Sequence, residues 1–312
     1  MEEDMEKLFR MANRVGILTM RLIKQVTVVA SIFLVLLTGC REKDPPFQEY
    51  ADFYKCIFDG KYEKVSKYLR KYPNLVNWEF NFAGYQGDTL MTATLAKDPK
   101  MVELLLKAGA NPSYYADDGV SPLMVAVGHG EAQIVRQLLE AGTNVNQKKN
   151  NGSTIMHFLA ENPNNEIEDM LFEYVENIDE PKEGGFTPLA ISLGNYHNEL
   201  SFRFIQEGAS LEKALAPIPH LIPEYVLNNN REMLEYFWEQ GVIDPYAVYQ
   251  NNNLFHYAVM ANNVDFVQDL VDRGLWDESL NHEGKTPLEM AQEGGREEIL
   301  EILRKARILD VL

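Results

Sequence analysis

A fixed period runs through this chain and restricts its fold more than any other property of the sequence. Glycines stand at Gly109, Gly142, Gly208, Gly241 and Gly274, with Val175 in the slot between 142 and 208, so the sequence number rises by 33 at every step. A second mark repeats independently. A Gly-x-Ser/Thr-Pro-Leu string opens at Gly119, Gly185 and Gly284, with weaker copies at Gly87, Gly152 and Asn251. These starts step by 32, 33, 33, 66 and 33, and the doubled step means that one unit near 218 has lost its opening. Gly241 still closes that unit, and Met233, Leu234 and Phe237 keep helical spacing over Arg231–Gln240. A repeat is therefore expected there, with an inner helix distorted by Pro223 in its first turn. A fixed period of this length signals supersecondary units that bury their faces only on one another.

Within a unit each marked residue has a physical task. Ser or Thr caps an inner helix, Pro occupies its first turn where no amide hydrogen is needed, and Leu begins the apolar stripe. Glycine permits the positive φ that stops the outer helix. Helices of about ten residues are marginal in water, so neighbouring pairs must stabilise one another. The Gly-x-Thr-Pro-Leu strings resemble the opening of an ankyrin repeat. That resemblance implies an all-α ankyrin-repeat solenoid of helix-turn-helix units with hairpin fingers over residues 48–312. Eight helix pairs are expected, with inner helices opening near 49, 89, 121, 154, 187, 220, 253 and 286. Gln48–Gly60 with Tyr62–Lys71 reads as a motif-poor first cap, and Lys285–Arg307 as a charged last one.

The first forty residues read differently. An apolar run from Val26 to Leu37 follows Arg21 and Lys24 and ends in Thr38-Gly39-Cys40. Its twelve residues span roughly 18 Å as a helix, short of a ~30 Å hydrocarbon core, but suit a signal-peptide h-region. The ending resembles the lipobox of bacterial lipoproteins, which implies a signal peptide over 1–39, a lipid on Cys40 and a short link over 40–47. Several acyl chains would make the attachment effectively permanent. The resemblance implies a periplasm-facing, lipid-anchored location in the cell envelope, at the outer membrane by the Arg41 sorting pattern. Met1, Met5, Met11 and Met20 all precede the apolar run, so a cytosolic form from an alternative start is left open.

Charge and composition narrow the function. The chain carries a formal charge of -18, and beyond residue 40 there are 43 acidic against 24 basic residues. A nucleic-acid role, which needs a basic face, is disfavoured. Of the two cysteines, Cys56 is left as a single thiol in the folded body. The six histidines show no metal-ligand spacing, and neither a phosphate-binding loop nor a nucleophile elbow occurs. His157 and His256 fall at the fourth position of the opening string, where the ring serves the backbone between repeats. No enzyme, cofactor, metal or small-molecule substrate is expected.

Binding is the remaining class. Ankyrin stacks bind partners with their fingers and the concave face of their inner helices, and interfaces favour aromatic anchors. The stretch from Asn74 to Gly87 is markedly longer than the equivalent one from Asn111 to Gly119, so the first finger is enlarged and holds Trp78, Phe80, Phe82 and Tyr85. The next candidates are Tyr114 and Tyr115 with Asp117 and Asp118, then Tyr246 and Tyr249. Concave positions are Ala96-Lys97, Gly128-His129, Glu161-Asn162, Gly194-Asn195 and Met260-Ala261. Ankyrin lipoproteins of this organisation resemble immunity proteins paired with phospholipase toxins of type VI secretion, which implies a toxin inhibitor whose partner is a secreted lipase or other effector. The alternative is a periplasmic envelope scaffold that binds an endogenous enzyme.

Overall fold

The computed structural model describes residues 47–82 and 85–310, with side chains from 49 to 80 and from 86 to 307. The signal peptide and Cys40 expected from sequence lie outside those residues. None of the described helices is long and apolar enough to cross a membrane.

The described residues divide into two compact units, one ending at Asn177 and the other beginning at Ile178. The first holds four helix pairs, inner helix first: α1 (Phe47–Phe58) with α2 (Tyr62–Lys71), α3 (Thr89–Leu95) with α4 (Pro99–Lys107), α5 (Pro122–Gly128) with α6 (Ala132–Glu140), and α7 (Ile155–Glu161) with α8 (Asn165–Tyr174). The second holds four more: α9 (Pro188–Gly194) with α10 (Asn198–Gln206), α12 (Leu221–Leu227) with α13 (Arg231–Glu239), α14 (Leu254–Met260) with α15 (Val264–Asp272), and α16 (Pro287–Glu293) with α17 (Glu297–Asp310). Helix α11 (Leu211–Leu215) stands in a finger of the second unit. Inner helices pack on inner helices within each unit, as α3 does on α5 and α12 on α14.

Capping sets the register. Asp88, Ser121, Thr154, Thr187, His220, Asn253 and Thr286 precede the inner helices, one in every period. Most accept a hydrogen bond from the backbone three residues on, as Ser121 does from Met124 and Thr187 from Ala190. His220 is the exception and makes no side-chain cap. Its helix nevertheless runs the same seven residues as its neighbours, so the distortion expected from Pro223 is absent. Pro223 sits in the first turn, where a backbone N–H would have no partner within the helix.

The closing glycines adopt the left-handed conformation, with φ of +92° at Gly109 and +96° at Gly208. Val175 cannot do so without strain, and α8 ends instead in extended backbone at φ -100°. His256 acts as expected: it accepts the Asn253 N–H at Nδ1, and its Nε2 reaches the Lys285 carbonyl of the following repeat at 3.2 Å, while His157 accepts the Thr154 N–H within its own cap. The core of the second unit centres on Tyr225, Phe237 and Phe255, all fully buried. Tyr225 donates to the Leu193 carbonyl at 2.9 Å, and its ring meets Phe237 edge-on. Tyr225→Phe, which keeps the ring and deletes that bond, is expected to lower stability by about 1–2 kcal/mol in urea unfolding.

Among the described residues, two fingers hold a strand pair or an α-helix of their own. The enlarged first finger is an antiparallel β-hairpin, β1 (Glu79–Phe82) with β2 (Tyr85–Asp88). The finger holding α11 is the other, and there Ser210 caps the helix by accepting the Lys213 N–H.

Candidate partner-binding surface

The hairpin begins with a 3-10 turn over Pro73–Asn77, closed by Trp78 N–H donating to Leu75 O at 3.1 Å. Its lower aromatics then turn inward. The Trp78 ring lies 4.5 Å from Tyr50 and the Phe80 ring 4.9 Å from Tyr54, both partners on α1. Tyr54 also donates its hydroxyl to the Trp78 carbonyl at 2.7 Å. Gly87 faces Phe80 across the ladder, and a Cβ there would come within 3.1 Å of the Phe80 ring, so a side chain at 87 would displace it. Trp78 and Phe80, half-buried, therefore brace the finger against the capping helix. Phe82 and Tyr85 oppose each other in the last register pair, beyond the described side chains.

Where hairpin meets helix stands Asp88, last in β2 and N-cap of α3. It is 1% exposed. One carboxylate oxygen accepts the Met91 N–H at 2.7 Å, while the other has no protein partner. Burial, reinforced by Glu79 opposite it in the ladder, pushes this carboxyl up to about 7.

The next two fingers are stitched to the hairpin. Gln86 accepts from the Asp117 backbone N–H, and Asn150 donates its side chain to Asp117 O at 3.0 Å and its backbone N–H to Asp118 O at 2.9 Å. Asp118 also faces Lys149 at 3.6 Å. Tyr115 projects with 57% of its surface exposed beside the exposed Asp117 and Asp118, whereas Tyr114 is 6% exposed and belongs to the core. His129 caps the end of α5, half-buried, its Nδ1 without a protein partner. Burial and then Lys97 hold its imidazole below the usual range, against the opposing pull of Glu131. The first unit thus collects Tyr115, Asp117 and Asp118 on one finger, hydrogen-bonded to the hairpin before it and to the finger after it.

Tyr246 and Tyr249 lie in the second unit. Tyr246 is exposed; Tyr249 is half-buried, and its carbonyl accepts the Tyr257 hydroxyl at 2.9 Å. Sequence reasoning misses exposed Val248 beside them, Leu280 on the following finger, and Leu227 at the end of α12. A signal for Leu227 is present, since it stands one period before Met260, itself assigned to the concave face. Among the described residues no three His, Cys, Asp or Glu side chains gather closely enough to hold a metal ion.

A family model described as ankyrin repeats (3 copies) matches at residues 53–149, 90–182, 123–213 and 224–311. No curated protein matches the chain. Register, caps, glycine closures and family model agree over most of the sequence: the chain belongs to the ankyrin-repeat family and is built as a protein–protein interaction module.

Proposed function

We propose that this interaction module works at a bacterial membrane, tethered through a lipid on Cys40, and that it neutralises its partner as the immunity proteins it resembles neutralise type VI phospholipase toxins. The observation that carries the reading is the finger row of the first unit. An enlarged hairpin packed on Tyr50 and Tyr54 is hydrogen-bonded to the next finger, which carries Tyr115, Asp117 and Asp118 exposed. An exposed tyrosine beside two acids on a hydrogen-bonded finger suits a hot spot, because less ordering entropy remains to be lost on binding. The string ending in Cys40 supports the tether.

The test is a killing assay with a phospholipase effector delivered to sensitive cells. Cells making the full chain should survive, and Tyr115→Ala with Asp117→Lys should lose at least tenfold in effector affinity while keeping the native circular dichroism spectrum. Cys40→Ala should leave the membrane fraction and lose protection but not affinity. Equal killing with and without the wild-type chain would reject the immunity reading; recovery of a resident envelope enzyme alone by affinity capture would favour the scaffold.

A further inference from the structure

The first helix pair carries charge of the opposite sign to the rest of the body. Residues 47–72 hold six Lys and Arg against four Asp and Glu, whereas residues 73–310 hold 16 against 37. The excess gathers on outer helix α2. Lys64, Lys67, Arg70 and Lys71 stand there against Glu63 alone, and Lys61 precedes them at the N-cap. Among the other outer helices, α4 has two Lys against one Glu, and α6, α8, α10, α13, α15 and α17 each carry at least as many acids as bases.

Helix stability does not account for these cations. A helix N-terminus favours acids and capping oxygens, and Asp98, Asn164, Asn230 and Asn263 supply one to α4, α8, α13 and α15. Lys61 fills that place in α2 without capping it, and Lys64 adds another positive charge in the first turn, at the positive end of the macrodipole. Ion pairing does not account for them either. Lys61, Lys64, Lys67 and Arg70 are all exposed and pair with no acid among the described residues, although Lys107, Arg136, Arg231 and Lys305 of other outer helices are each paired. Lys71 is answered, by Glu49 at 3.1 Å. Steps of three residues turn about 300° each, so Lys61, Lys64, Lys67 and Arg70 fan over roughly half the helix circumference, opposite buried Val65. At the turn that leads into α2, Phe58 and Tyr62 leave 44% and 38% of their surfaces exposed.

We infer that α2 and the turn before it rest on the headgroups of an anionic lipid bilayer, the membrane to which Cys40 ties the chain. The inference rests on the tether reading and not on the toxin reading. Phe47 follows Cys40 by seven residues, which reach at most about 25 Å when fully extended, and α2 packs directly on α1, the helix that Phe47 opens. The tether therefore keeps α2 within reach of the headgroups, at an effective concentration that a freely diffusing acidic protein lacks. Attraction between basic side chains and an anionic leaflet fades within a Debye length, so cations next to the tether are the ones placed to feel it. Acidic α8 of the same unit is repelled by that surface, so the unit has one side that the bilayer prefers. Tyr62 suits the boundary as well, since amphipathic aromatic rings sit at headgroup level.

The test is lysine footprinting of the full chain, made in bacteria and placed on vesicles of phosphatidylcholine alone or mixed two to one with phosphatidylglycerol. Acetylation by a water-soluble reagent, read by mass spectrometry, should be slower by roughly threefold or more at Lys61, Lys64 and Lys67 on the anionic vesicles than on the neutral ones, and high salt should abolish the difference. Lys148 and Lys305 should be modified alike on both. Lys64→Glu with Lys67→Glu should restore full modification of Lys61 while the circular dichroism spectrum stays native. Vesicle-bound chain modified equally on both lipids would overturn the inference and leave the tether standing, and so would equal protection of Lys148 and Lys305. Protection of Lys61 that survives the double reversal would assign it to crowding by the lipid anchor and also overturn the inference. A chain that floats with neither vesicle would reject the tether and this contact together.

Discussion

Gly119→Ala should cost the first unit about 3–5 kcal/mol, the largest effect expected of any Gly→Ala change among the described residues. Gly119 has φ of +87°, and an added Cβ would lie 2.4 Å from the Lys148 carbonyl oxygen and 2.8 Å from the Lys149 Cα. Both atoms are backbone of the adjacent finger, so no rotamer change relieves the overlap. Moving that finger away would break the hydrogen bonds that Asn150 makes to Asp117 and Asp118. Gly142 is the control. Its φ is +77°, yet nothing stands within 4 Å of its Cβ position, so Gly142→Ala meets only the left-handed penalty of about 1–2 kcal/mol. Urea midpoints of the two variants should differ clearly; equal losses would mean that the fingers do not touch.

Asp88→Asn should stabilise the protein by about 2–4 kcal/mol at pH 8 and do almost nothing at pH 4. Asn caps a helix as well as Asp does, so the Met91 bond is retained. What changes is the charge. Burial raises the Asp88 carboxyl from 3.8 in the unfolded chain to about 7 in the folded one. Between those values the folded state holds a proton that the unfolded state has released, so stability falls as pH rises through this window and reaches its low plateau above about 7. The difference between variant and wild type isolates this group from every other titration. A difference that stays constant from pH 4 to pH 8 in urea unfolding would refute the account.

Most of the helical scaffold is legible in the sequence because its determinants are local. An N-cap, a first-turn proline and a closing glycine each act within four residues, and the fixed period aligns them even where one repeat lacks its string. The distortion expected at Pro223 does not occur, for an equally local reason: the first helical turn does not need the missing N–H. Fingers are less legible. The extra residues before Gly87 announce an enlarged loop, but a β-hairpin requires Phe80 to find Tyr54 on another element, and no local pattern states that contact. Tyr114 and Tyr115 show the same limit. Adjacent and chemically identical, they divide between core and solvent according to which way the finger backbone turns. Residue type alone marks Trp78 as an outward anchor, whereas its partner Tyr50 lies on a capping helix with almost no motif.

The constancy of the N-cap spacing has a consequence for how such a chain diverges. Between one cap and the next, the same period accommodates an open loop in one repeat and helix α11 in another, while the first finger takes its extra residues ahead of Asp88. Insertions and replacements in these segments leave the downstream caps in phase, because each helix pair is nucleated by its own cap and not by the length of what precedes it. Mutation can therefore vary exposed finger positions such as Tyr115 without shifting the caps, while packed finger positions such as Gly119 and Trp78 stay tied to their neighbours.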